Sequence, residues 1–312
     1  YSHALESLLM EDWHHEKLSI LLMNKINEEF DGELSMALEM FQGKYHRRFF
    51  NQLISSQLDV DRLDYLKRDS FFTGVSEGSV NTQRIISMMN VCDDELVIDE
   101  KGVYSIENFL TARMFMYWQV YYHKTSALAE HLLVKILSRA KQLISEGKSI
   151  EAYGNLKYFL YKTDFEKATE EDINRFTQLD DTDVLSAIKT WQNADDFVLS
   201  YFCRAVVQRK FPKTVFSSHP FDQKIIEEKT TKANDFFGIN NGELLVEQIS
   251  RTLLPYDTEK QTIFLLKKNG EKIKLEDAET QILSAHINQP TTKNILYFPR
   301  EISNGAFDVK KY

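Results

Sequence analysis

The sequence predicts a mainly α chain with a smaller mixed α+β part toward its C-terminal side, and three observations carry that reading. All five prolines lie at Pro212 or later. Proline breaks helix interiors, so residues 1–211 are left open to long helices. Apolar residues recur at helical spacing over residues 4–30, 45–70 and 105–146. Strand-like runs at 262–266 and 272–275 flank Asn269-Gly270, a dipeptide that favours a tight hairpin turn. The change in residue usage divides the chain into a helical region, 1–160, and an α+β region, 161–312.

Taken in order, residues 4–30 predict a helix, and Gly32 and Gly43 punctuate a short one after it. Residues 45–70 predict one or two more. The run Thr73-Gly74-Val75-Ser76-Glu77-Gly78 reads as a turn before a helix at 82–90. Residues 91–98 and Val103-Tyr104, joined by Asp99-Glu100-Lys101-Gly102, read as a β-hairpin with Gly102 at the positive φ of its turn. From Ser105 as N-cap to Glu146, before Gly147, runs the longest periodic segment, a central helix broken at most once. Further helices are predicted at 181–192, 195–209 and 220–235.

Bulk properties exclude several classes. A net charge of −9 argues against a long nucleic acid as partner, because that affinity rests on many Lys and Arg contacts to phosphate. A small anion needs only a few cations focused in one cleft. No apolar run approaches the roughly 18 residues of a membrane span. Cys92 and Cys203 form neither a CxxC pair nor a disulfide framework, which fits a reducing cytoplasm. The opening Tyr1-Ser2-His3-Ala4-Leu5-Glu6 has no initiator Met and no signal-peptide core, and reads as the interior of a longer protein.

Three clusters carry candidate chemistry. On the helix within 58–69, Asp61, Tyr65 and Asp69 fall within about 80° of one another, with Arg62 at the edge of that arc. One face thus presents carboxylates, a phenol and a guanidinium. The same pattern fits a solvated helix with Asp64 and Arg68 as an i,i+4 pair. On the long helix, Arg113, Tyr117, Tyr121 and Lys124 share a stripe of about 80° that suits phosphate, sugar and base, and equally suits buried tyrosines framed by snorkelling cations. His3 with Glu6, and His14-His15-Glu16, offer a histidine within reach of a carboxylate, the arrangement of an oriented general acid or base.

Read together, Asp59-Val60-Asp61-Arg62-Leu63-Asp64-Tyr65-Leu66-Lys67-Arg68-Asp69, with Thr73-Gly74 close behind, resembles the conserved segment of HD-superfamily metal-dependent phosphohydrolases of the dNTP triphosphohydrolase type. Residues 2–6 resemble the stretch immediately after that family's His-Asp doublet. His15-Glu16 resembles its downstream His-Glu, and Arg113 with Tyr121-Tyr122-His123-Lys124 resembles its Arg and Tyr-x-His-Lys helix. The resemblance covers residues 1 to about 145 and implies an HD-domain helical core.

It also implies roles. Asp61 matches the last metal ligand, for a divalent ion (Mn, Mg, Fe or Ni), with the other ligands expected upstream of Tyr1. Arg62 and Arg113 match phosphate-binding positions, Tyr65 lines the nucleotide, Asp69 accepts from the sugar 3′-hydroxyl, and Tyr121 packs on the deoxyribose. His3, held by Glu6, matches the proton donor to the leaving oxygen, and His15 a second active-site histidine. Departures are Glu6 for Asp, Arg62 for Lys, and Tyr117 at a position that is His in one branch. The implied reaction cleaves a deoxynucleoside triphosphate to deoxynucleoside and triphosphate in a cytoplasmic homo-oligomer. The 312 residues alone are expected to be inactive. A nucleotide-binding regulator without catalysis is the alternative. No GxxxxGK, GxGxxG or GxSxG motif supports another class.

Overall fold

A computed structural model describes residues 15–163, 169–278 and 289–303. The described elements run α1 (His15–Glu29), α2 (Ser35–Phe41), α3 (Arg48–Ile54), α4 (Val60–Thr73), α5 (Thr82–Met88), β1 (Met89–Cys92), β2 (Glu95–Asp99), α6 (Val103–Met116), a π-helical turn (Tyr117–Tyr121), α7 (Lys124–Ser145), α8 (Gly154–Tyr161), α9 (Glu170–Phe176), α10 (Asp181–Trp191), α11 (Phe197–Val207), β3 (Lys213–Ser217), α12 (Gln223–Phe237), β4 (Glu247–Leu253), β5 (Phe264–Leu266), β6 (Lys272–Lys274) and β7 (Thr291–Phe298). The fold is mainly α with small mixed sheets, as the sequence predicts. Among the described residues no helix is long and apolar enough to cross a membrane.

Contacts gather the chain into two compact units, each built from separate stretches: Tyr1–Leu22, Lys124–Ser250 and Lys293–Tyr312 form one, Met23–His123 and Arg251–Thr292 the other. The sequence division at 160/161 reflects residue usage, whereas these units reflect contacts in space, and the two divisions do not coincide.

The first unit packs α7, α8, α10 and α11 around Leu132, Ile136, Phe159, Trp191 and Phe202, all at most 2% exposed. Each such side chain contributes about 1.5–3 kcal/mol on leaving water. Trp191 Nε1 donates to the Glu151 carbonyl at 2.7 Å, satisfying its single polar atom. Capping defines the helix starts: Asp180 and Asp183 form a reciprocal box on α10, and Asp196 caps α11 while accepting two bonds from the Arg139 guanidinium. In the sheet β3-β7-β4, Glu247 accepts from His131, Lys135 and Tyr297. Burial acts to raise the Glu247 pKa, but the bonds from His131 and Lys135 prevail and bring it down to about 2.

The second unit builds its core from α4, α5 and α6, with Leu63, Leu66, Ile85, Ile106, Phe109 and Met116 at most 3% exposed. Its sheet runs β1-β2-β5-β6. β2 lies antiparallel to β1 and parallel to β5, with Val97 opposite Phe264.

The first hairpin differs from the sequence reading. Its turn is Asp93-Asp94, with φ of 52° and 60°, and β2 is its second strand. Aspartate tolerates the left-handed region because its short side chain bonds locally. Gly102 has φ −88° and ends a 3₁₀ turn instead. It is needed for space, since a Cβ there would lie 2.9 Å from both Met88 Cβ and Ile98 Cγ2. That turn feeds directly into α6 at Val103, so Ser105 lies inside the helix and is not its cap.

Gly78 is a second close approach, where a Cβ would lie 2.7 Å from Met116 Cγ and 3.0 Å from Ser70 Cβ. Gly78→Ala is expected to destabilise the protein by about 1–3 kcal/mol through overpacking. A lowered urea midpoint at unchanged m-value would confirm it, and an unchanged midpoint would show that Met116 repacks without cost.

Candidate functional site

The helix α4 starts and stops where its sequence dictates. Asp59 caps it, accepting from the Arg62 amide at 2.8 Å, and Gly74, at φ 70°, ends it in the left-handed conformation. Its core face carries Leu63, Leu66 and Ser70. The adjoining face carries Arg62, Tyr65 and Asp69, and Tyr65 and Asp69 meet Tyr121 of the π-helical turn within the second unit.

There Tyr121 donates its hydroxyl to Asp69 Oδ2 at 2.6 Å. The ring centroids of Tyr65 and Tyr117 lie 6.1 Å and 5.1 Å from that of Tyr121. The Arg113 guanidinium stands 5.6 Å from the centre of the Tyr117 ring and donates from Nη1 to the Pro255 carbonyl at 3.1 Å. Arg62 donates from Nη1 to the Ser56 carbonyl at 2.6 Å and to Asp59 Oδ2. The Nε atoms of Arg62 and Arg113 are buried without a hydrogen-bond partner. A buried N–H left without an acceptor is costly, and two arginines of this cluster carry one each.

Two phenols of this cluster, Tyr65 and Tyr121, are held in the protonated form. Burial pushes the Tyr65 pKa up to about 12, with Tyr117 adding to the rise and Arg113 and Arg62 opposing it. Burial raises Tyr121 further, helped by its bond to the Asp69 carboxylate. Both therefore stay protonated at neutral pH.

The long helix of the sequence reading is broken here. α6 gives way to a π-helical turn at Tyr117–Tyr121, closed by the Tyr122 amide on the Tyr117 carbonyl at 2.6 Å, and α7 begins at Lys124. Single π turns occur often at functional sites. Lys124 falls in the first unit and Arg113, Tyr117 and Tyr121 in the second.

Of the residues singled out in the sequence, Arg62, Tyr65, Asp69, Arg113, Tyr117 and Tyr121 thus form one cluster. His15 opens α1 and belongs to the first unit. His3 and Glu6 lie outside the described residues. Asp61 is exposed, and among the described residues no three His, Cys, Asp or Glu side chains converge to hold a metal ion. A divalent cation needs several such ligands at once, so Asp61 with the other described residues does not amount to a metal site.

Two participants escape the sequence reading. Asp59, with its side chain 2% exposed, orients Arg62, and an Asp-x-x-Arg at a helix start is the signal that could reveal it. The Pro255 carbonyl comes from far along the chain and leaves no local signal. A hollow of about 440 Å³ in the first unit is lined by Asn155, Glu170, Glu171, Asn174, Arg175 and Gln178. Its one arginine already pairs with Glu171, so it suits an anion poorly.

A family model described as "HD associated region" matches residues 80–158. A crystal structure of a phosphohydrolase from Bacteroides thetaiotaomicron superposes with a TM-score of 0.89 at 40% identity, covering 96% of this chain and 75% of that one. The chain belongs to the HD-superfamily phosphohydrolases. It is 31% identical to the uncharacterized Bacillus subtilis protein YwfO, over 97% of this chain and 70% of YwfO. It is also 27% identical to the Dictyostelium discoideum deoxynucleoside triphosphate triphosphohydrolase SAMHD1 homolog, over 48% of this chain and 32% of that protein. The HD-associated match spans α5, α6, the π turn and α7, and so includes the cluster's Arg113, Tyr117 and Tyr121.

Proposed function

We propose that this HD phosphohydrolase binds a deoxynucleoside triphosphate at the Arg62, Tyr65 and Asp69 face of α4 and cleaves it to deoxynucleoside and inorganic triphosphate. The observation that carries the reading is the convergence of two guanidiniums, three tyrosines and one carboxylate in a single unit, with both arginine Nε atoms buried and unpartnered. The triphosphate nature of the substrate draws support from the name of the Dictyostelium relative.

In this reading Arg62 and Arg113 stabilise phosphate charge, which costs no reorganisation because Asp59 and the Pro255 carbonyl already fix the two side chains. The Tyr65, Tyr117 and Tyr121 rings form the apolar wall for sugar and base. Asp69 accepts from the sugar hydroxyl, next to its bond from Tyr121. Water attacks the α-phosphorus, the bond from phosphorus to the sugar oxygen breaks, and that oxygen takes its proton from His3, oriented by Glu6. The described residues supply binding and charge stabilisation, and their single candidate metal ligand is Asp61.

A second reading, nucleotide binding without hydrolysis, is favoured by one observation, that the described residues hold no three-ligand metal cluster. A panel of four deoxynucleoside triphosphates, each incubated with and without manganese and with a protein that also carries the metal ligands expected upstream of Tyr1, then analysed for inorganic triphosphate, separates the two. Triphosphate release is the expected result. Binding by equilibrium dialysis without product selects the second reading, and the absence of both binding and product overturns the site itself.

A further inference from the structure

Both arginines of the candidate site take their positions from backbone carbonyls, and the two carbonyls belong to distant stretches of chain. Arg62 donates to Ser56, just before α4, and Arg113 to Pro255, in the turn between β4 and β5. On the α4 side Asp59 fixes the frame, since it caps the helix and also accepts from the Ser56 amide at 3.2 Å. Residues 254–263 form neither helix nor strand. The place of the Pro255 carbonyl therefore depends on what ties this turn down.

The tie is Gln57, which is 8% exposed. Its Oε1 accepts from the Asp257 amide at 2.7 Å, and its Nε2 donates to the Asp257 carbonyl at 2.6 Å. The carboxamide thus pairs with both backbone groups of one residue, as a neighbouring strand would. Nε2 also donates to the Gln261 carbonyl, farther along the turn. Two carbonyls and one amide converge on this side chain, and a carboxamide supplies the two donors and one acceptor they require, which a carboxylate or an ammonium does not. The turn's other polar contacts are made within it or to Glu276: Asp257 Oδ1 accepts from the Glu259 and Lys260 amides, and the Tyr256 hydroxyl donates to Glu276 and accepts from the Ile263 amide. All these residues lie in the second unit. Among the described residues, the hydrogen bonds that join the turn's backbone to the segment leading into α4 are those of Gln57.

We infer that Gln57 is a positioning residue for phosphate binding: it fixes the Pro255 carbonyl, and through it the Arg113 guanidinium, relative to the frame that holds Arg62. This rests on the substrate reading given above. The Ser56 carbonyl that holds Arg62 belongs to the peptide bond that Gln57 itself closes, and Pro255 lies two residues before Asp257. One residue thereby joins the anchors of both cations. Losing its side chain frees the turn and Arg113, while Arg62 stays on Asp59.

A double-mutant cycle tests it, using a protein that also carries the metal ligands expected upstream of Tyr1 and following release of inorganic triphosphate. Gln57→Ala is expected to lower kcat/KM by about 10- to 100-fold, the scale of a misplacement of about 1 Å. Gln57→Met fills a similar volume without the hydrogen bonds and is expected to show the same loss, so the effect does not come from a cavity. In an Arg113→Ala background, Gln57→Ala is expected to change kcat/KM by less than about twofold, because the side chain it positions is gone. Circular dichroism and urea midpoints establish that each variant is folded at the assay temperature. A purely structural role multiplies the two losses, and that outcome overturns the proposal. So does wild-type kcat/KM in both Gln57 variants, or unfolding of both, which would assign Gln57 to the fold. Wild-type kinetics for Arg113→Ala, or no triphosphate from the wild type, would bring down the substrate reading and this proposal with it. A large Arg113→Ala loss beside a multiplicative Gln57 loss removes only the role of Gln57.

Discussion

Arg113→Ala is expected to lower kcat/KM for the cleaved deoxynucleoside triphosphate by about 100- to 1,000-fold, the loss typical when a preorganised donor to developing charge is removed. The effect should exceed that of an ordinary surface cation. The guanidinium is anchored by the Pro255 carbonyl, lies near the Tyr117 ring and keeps a buried Nε without a partner. Arg113→Lys should recover only part of the loss, because an ammonium cannot bond Pro255 and a phosphoryl oxygen with the same planar fork. Steady-state kinetics on the three proteins, with circular dichroism to verify folding, provide the check. Wild-type kinetics for Arg113→Ala would remove this side chain from the proposed site.

Asp59→Ala is expected to destabilise the second unit by about 2–3 kcal/mol. One contribution is the helix cap, worth about 0.5–2 kcal/mol. Another is the bond from the Ser56 amide at 3.2 Å, left without its acceptor. The ion pair with Arg62 adds less than its geometry implies, because the Arg62 side chain is 31% exposed and water screens it. Asp59→Asn keeps a capping oxygen and should lose about half as much. Urea unfolding of both variants tests the ranking, and an alanine variant as stable as the wild type would remove Asp59 as the anchor of α4.

The features legible in the sequence are those set by local periodicity. The periodic run behind Asp180 predicts a helix at 181–192, and α10 is found at Asp181–Trp191. Tyr65 and Asp69, and likewise Arg113, Tyr117 and Tyr121, share helix faces by simple geometry, and each set reaches the cluster. The features that stay hidden depend on distant partners. β3 and β7 stabilise each other across a long stretch of chain, with Val215 opposite Leu296, and neither run announces itself alone. Glycine is the usual signal for positive φ, so the sequence points to Gly102 as the hairpin turn, while the chain uses Asp93 and Asp94 there and keeps the glycine for close packing. In the sequence Arg62 reads as a guanidinium at the edge of the Asp61, Tyr65 and Asp69 face, and only the structure shows the buried Asp59 that holds it.

The interleaving of the two units constrains the order in which the protein is made. As the chain leaves the ribosome, Met23–His123 emerge long before Arg251–Thr292, bringing α4, α6 and strands β1 and β2 while β2 still lacks β5 and Arg113 still lacks the Pro255 carbonyl. Until residues near 266 are translated, β2 presents an open strand edge with Val97 and Ile98, side chains that end at most 1% exposed. Domains on a nascent chain usually fold as they emerge. Here the unit that carries the candidate site must wait for more than a hundred further residues to be synthesised, so a binding-competent cluster and a sealed β2 edge arrive together, late in translation.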